Sequence, residues 1–217
     1  AQRKEGVAIL RGLVEKNPQA EQLRLELCKA LIEDRRRDGR PRGGRGEPPG
    51  PDRQGPPEEE LRAVREAKVH AEKLLADEPL SPEYRALRAE VGVLLARMLR
   101  DRSDQSGEPA RAEFLREATE ELVAVVDVER GLVNTEVPLD PRFLGRILDS
   151  RILLASMHFA AGRKVEGVEQ MRAVADLFEG QVAMQKPGTM PRSILRQFAS
   201  QLESGRVARI EEMLRSA

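Results

Sequence analysis

The stretch PLSPEYRALRAEVGVLLARM, residues 79–98, returns at residues 138–157 as PLDPRFLGRILDSRILLASM, without a gap. Seven of the twenty positions are identical: Pro79/Pro138, Leu80/Leu139, Pro82/Pro141, Leu94/Leu153, Leu95/Leu154, Ala96/Ala155 and Met98/Met157. Ser81/Asp140, Tyr84/Phe143, Glu90/Asp149 and Val93/Ile152 are near-equivalents. A chain that echoes itself at this range is built from similar units, each burying its apolar face against the next. Both copies also carry a helix-start signal, Ser81-Pro82 and Asp140-Pro141. A Ser or Asp oxygen caps the first free backbone N–H groups, and proline tolerates the first helical position because its missing N–H is not needed there.

Helical spacing of apolar residues runs through the rest of the chain. Residues 4–16 place Val7, Leu10, Leu13 and Val14 on one face, and Asn17-Pro18 ends the run because proline cannot continue the hydrogen-bond ladder. Residues 19–36, 58–77, 109–130, 140–161 and 165–183 read the same way, and residues 191–215 carry Ile194, Leu195, Phe198, Leu202, Val207, Ile210 and Leu214. Residues 38–60 break the pattern with six Gly and six Pro. With almost nothing apolar to bury, this stretch predicts a mobile insert. No alternating strand pattern occurs, and aromatics are 3% with no Trp. The prediction is all-α.

Composition narrows function mainly by exclusion. Lys plus Arg equals Asp plus Glu at 37 each, so no overall field favours nucleic acid or an anionic membrane. The longest nearly apolar run, residues 152–161, is ten residues, far short of a bilayer span. A lone Cys28 makes no internal disulfide and points to a reducing compartment, so a cytoplasmic setting is expected. Two histidines, His70 and His158, offer no zinc set, and Cys28 stands at a small-residue packing position, which predicts a buried, inert thiol and not a nucleophile held by a nearby His or in a cationic niche. RGGRGEPPG has no Lys-Ser/Thr end and follows no strand, so it is not a phosphate loop. Carboxylates such as those of Glu113-Arg116-Glu117-Glu120 read as solvated pairs along one helix. No catalytic constellation, metal site or cofactor site is expected, and the chain reads as a non-enzyme.

A second echo links the helices. Glu followed by a small residue recurs as Glu5-Gly6, Glu66-Ala67, Glu117-Ala118 and Glu166-Gly167, with EGVAILRGL answered by EGVEQMRAV. Four positions on stand Leu10, Ala71, Leu122 and Met171, and seven on stand Leu13, Leu74, Val125 and Val174; Pro18 and Pro79 follow twelve on. The preceding helices carry Leu27-Cys28-Leu31, Leu95-Ala96-Leu99 and Leu154-Ala155-His158. This combination resembles the tetratricopeptide repeat, and phrases such as KLLADEPLSPEYR are similar to the long-repeat helical regions attached to large bacterial serine/threonine kinases. The repeats are longer than the family's ordinary unit: from Pro79 to Ala96 and from Pro138 to Ala155 is seventeen residues, against ten from Pro18 to Cys28. Seven extra residues are close to two helical turns, so the buried face keeps its phase.

The resemblance implies antiparallel hairpins stacked as a short right-handed α-solenoid over residues 1–185, sealed by a C-terminal capping helix in 186–217. Because the chain opens on what corresponds to a second helix, a partner helix upstream of Ala1 is expected. It further implies a groove for a peptide or protein segment. Its candidate residues are Gln22, Lys29 and Glu33, then Glu90, Val93, Arg97 and Arg100, then Asp149, Ile152, Ser156 and Phe159. Lys29, Arg97 and Arg100 would pair with a partner's carboxylates, and Val93 and Phe159 would give apolar contact. The competing expectation is a regulatory or spacer region of a larger bacterial signalling enzyme such as a kinase. Self-association through the C-terminal helix is a further expectation, and nucleic-acid contact through the Arg-rich insert is the least favoured.

Overall fold

A computed structural model of the chain describes residues 2–38, 58–133 and 139–184. Among the described residues the structure is helices joined by turns, without a strand. The helices are α1 (Gln2–Lys16), α2 (Glu21–Asp38), α3 (Glu58–Asp77), α4 (Pro82–Ser103), α5 (Ala110–Arg130), α6 (Pro141–Ala160) and α7 (Lys164–Met184). The chain divides into two compact units, Ala1–Leu132 and Val133–Ala217. α2 runs through Asp38 and α3 begins at Glu58, so both margins of the expected insert are helical. Residues 39–57 and the expected capping helix of 186–217 lie outside the described residues.

The helix boundaries follow from local chemistry. At the start of α4, Ser81 is extended (φ −65°, ψ 115°) and its Oγ accepts from the Tyr84 N–H at 3.4 Å. At the start of α6, Asp140 Oδ1 accepts from the Phe143 N–H at 3.3 Å. Both echoed start signals are therefore side-chain caps. α6 stops at Gly162, the left-handed residue at φ +74°. The Arg163 N–H donates to the His158 carbonyl at 2.8 Å and the Gly162 N–H to Phe159 at 3.0 Å. This is the Schellman closure, and glycine takes the left-handed position because it has no Cβ to clash there.

In the first unit each helix packs on the next, α1 on α2 through to α4 on α5; in the second, α6 packs on α7. The core of the first unit includes Leu27, Ile32, Leu61, Leu74, Leu95, Leu99 and Leu122, each essentially fully buried. Burying one such side chain is worth roughly 1.5–3 kcal/mol over leaving it exposed. The small residues serve close approach. Cys28 is buried with its Sγ 3.3 Å from the Ala67 carbonyl oxygen, so α2 meets α3 at backbone distance. In the second unit Leu144, Leu148 and Val174 form the core, with Leu139, Ile152, Leu177 and Phe178 packed around it. The Leu139 N–H donates to the buried Gln181 Oε1 at 2.8 Å, fastening the entry of α6 to the far end of α7.

Ion pairs also join alternate helices of the first unit. Arg11 of α1 binds Glu66 of α3 through both carboxylate oxygens, at 2.7 and 2.6 Å. Arg65 of α3 binds Glu117 of α5 at 2.8 Å. Lys29 of α2 reaches Glu83 of α4 at 3.2 Å.

Candidate functional site

Glu90, Val93, Arg97 and Arg100 follow one another along α4 at spacings of three or four residues, which places them on one face of that helix. Val93 and Glu90 are half-buried, and Arg97 and Arg100 are exposed at the C-terminal end. Lys29 does not join them. Its ammonium is at Glu83, in the first turn of α4, about 21 Å of helix before Arg97 at 1.5 Å per residue. Gln22 donates to Glu26 within α2 at 3.0 Å, and Glu33 is exposed. Of the candidate cations, Arg97 and Arg100 lie together at the C-terminal end of α4.

The remaining expected positions belong to the second unit and are taken up largely within its hairpin. Ile152 packs against the Leu144–Leu148–Val174 core. Ser156 Oγ donates to the Leu153 carbonyl at 2.7 Å, and Asp149 is half-buried. Phe159 lies over Gly167: a Cβ added there would come within 2.6 Å of its ring.

The strongest electrostatic feature is inside the first unit. Arg88 of α4 and Glu121 of α5 are buried, at 4% and 3% exposure, with Nη1 2.5 Å from Oε1. Glu121 Oε2 takes Lys68 of α3 at 2.5 Å, and Arg88 Nη2 donates to Glu72 of α3 at 3.0 Å. Four charges of alternating sign therefore tie three helices together. Gly92, one turn after Arg88, makes room for them: a Cβ there would collide with Val125 and come within 2.7 Å of both Arg88 Nη1 and Glu121 Oε1. Sequence reading missed this cluster because Arg88 and Glu121 each sit beside ordinary core positions. A glycine four residues after an arginine flanked by Leu87 and Ala89 was the available signal. Gly92→Ala is expected to destabilise the first unit by about 1–3 kcal/mol through overpacking, even though alanine is favoured over glycine in helices by about 1 kcal/mol. Urea unfolding followed by circular dichroism measures this.

His158 occupies the third position of the Leu154-Ala155-His158 signature and is buried there, with no hydrogen-bond partner at Nδ1 among the described residues. Burial is the main cause that lowers its pKa below the ordinary 6.5, and Arg163 adds to it, while Glu166 and Glu169 oppose. The fold therefore favours the neutral ring. Its contribution to stability is present above pH 6.5 and is lost as pH falls below that value. Amide protection in α6 and α7 is expected to weaken between pH 7 and pH 5, and less so in His158→Leu, which installs the residue found at Leu31 and Leu99. Hydrogen exchange at the two pH values checks it. Among the described residues no group of three or more His, Cys, Asp or Glu is placed to hold a metal ion, and no helix is long and apolar enough to cross a membrane. No protein-family model matches the chain, and no curated protein is significantly similar to it in sequence.

Proposed function

We propose that this chain is a non-catalytic protein-interaction scaffold. Its helices stack as tetratricopeptide-like hairpins in a short right-handed solenoid, and a peptide or protein segment docks along the α4 face. The observation that carries the reading is the recurrent burial of one signature. Leu27-Cys28-Leu31, Leu95-Ala96-Leu99 and Leu154-Ala155-His158 are all at 9% exposure or below. The ion pairs from α1 to α3, α3 to α5 and α2 to α4 support stacking in two rows, an arrangement that leaves one side of the α4 row open to a ligand. Arg97 and Arg100 would receive the acidic part of the segment and Val93 its apolar part.

Selection of random peptides displayed on phage against the full chain tests this. Acidic sequences with apolar residues are expected to be enriched, and the double variant Arg97→Glu/Arg100→Glu is expected to bind them about tenfold or more weakly, a change of about 1.4 kcal/mol or more. Failure to enrich any peptide, or binding unchanged in the double variant, would remove the assignment.

A further inference from the structure

Two arginines of the first unit repeat one arrangement. Arg24 is the fourth residue of α2 and Arg85 the fourth of α4, and each stands six residues after a proline, Pro18 or Pro79. Both prolines lie in the turn before the helix, where a carbonyl has no helical ladder to join and needs another donor. Arg24 Nη2 donates to the Pro18 carbonyl, and Arg85 Nε donates to the Pro79 carbonyl at 2.7 Å.

Each guanidinium also reaches the C-terminal end of the helix that follows its own. Arg24 pairs with Asp77, the last residue of α3, at 3.2 Å. Arg85 lies on Gly131, just past the last residue of α5: a Cβ there would overlap Nη1 and come within 2.7 Å of Cζ. A cation is favourable at such an end, because the last carbonyls of a helix are free and carry the negative end of its dipole. α3 gains most from one. It has no basic residue in its last turn, and Asp77 has the wrong sign for that place.

Gly131 gives an independent sign of the second contact. Its backbone is right-handed helical, φ −71° and ψ −8°, a conformation that any residue adopts. Glycine is therefore not needed for the turn, and the room its side chain would take is filled by Arg85. The second unit closes the same end of its helix pair without charge: the buried Leu144 stands at the corresponding place after Pro138, and the Leu139 N–H is held by Gln181 of α7. We infer that Arg24 and Arg85 are clasps, each coupling the turn before one helix to the end of the next, so that turn and helix end open together. The inference concerns closure of the first unit and does not depend on peptide binding at α4.

Residue-resolved hydrogen exchange of the full chain tests it. The Ser81 amide donates to Glu78 in the turn before α4, and the Leu132 amide donates to Glu129 at the end of α5. In Arg85→Ala, which alters a half-buried side chain, both amides are expected to exchange about threefold faster or more. The Ala20 amide, in the turn that Arg24 serves, is expected to exchange as in the parent. Gly131→Ala displaces the guanidinium and is expected to speed Ser81 and Leu132 alike. Added to Arg85→Ala it is expected to change nothing further, because the space is then empty. Unchanged exchange in Arg85→Ala, a rise at only one of the two amides, or an equal rise at Ala20 would overturn the coupling. A Gly131→Ala effect of the same size with and without Arg85 would overturn the role given to the glycine.

Discussion

Glu121→Leu is expected to destabilise the first unit by about 3–5 kcal/mol, enough to remove much of the stability of an ordinary domain. Removing the carboxylate leaves Arg88, at 4% exposure, with only the half-exposed Glu72 as counter-charge. Lys68 suffers less, because its side chain is 31% exposed and its ammonium turns out to water. Arg88→Met alone is expected to cost less than Glu121→Leu, since Glu121 keeps Lys68 at 2.5 Å. The double variant Arg88→Met/Glu121→Leu is expected to recover most of the loss, because apolar residues of similar volume replace a buried pair at little cost. Urea titration measures all three. Tyr84 is the chain's single tyrosine, buried in the first unit, and there is no Trp, so its fluorescence reports that unit alone. A Glu121→Leu protein as stable as the parent would show that the pair contributes nothing.

Leu148→Ala is expected to cost about 2–5 kcal/mol, the transfer term plus the cavity left behind. Leu148 is fully buried and is one of three residues at the centre of the α6–α7 core. The loss is expected as reduced amide protection in α6 and α7 by hydrogen exchange, with the cap hydrogen bond from Phe143 to Asp140 released as the first turn opens. Protection in those helices equal to the parent's would contradict the packing described.

Features set by neighbouring residues were legible in the sequence. Ser81-Pro82 and Asp140-Pro141 mark helix starts through contacts within a few residues, and each does so in the structure. Of Val168, Met171, Val174 and Leu177 or Phe178, which steps of three or four residues predict along the buried side of α7, Val168 and Val174 are buried and the others half-buried. Charges were legible only where their partner lay on the same helix. Arg116 and Glu120 pair as spacing suggests, at 3.0 Å with both side chains about two-thirds exposed. Glu117, between them, turns instead to Arg65 on another helix. Lys29 was read as available to a ligand, and its ammonium is engaged by Glu83.

The sequence by itself determined the helices, their ends and the small residues at which they approach, because these depend on backbone chemistry and a period of 3.6 residues. Tertiary structure alone decided which charges are buried. Arg88 and Glu121 are 33 residues apart in sequence, and no local pattern tells an arginine that will meet a carboxylate in the core from one that will face water. It also decided that a Cβ on Gly6 would meet nothing within 4 Å, while one on Gly167 would meet the Phe159 ring. Such contacts come from another helix, and a residue's own neighbours in the chain carry no record of where that helix passes.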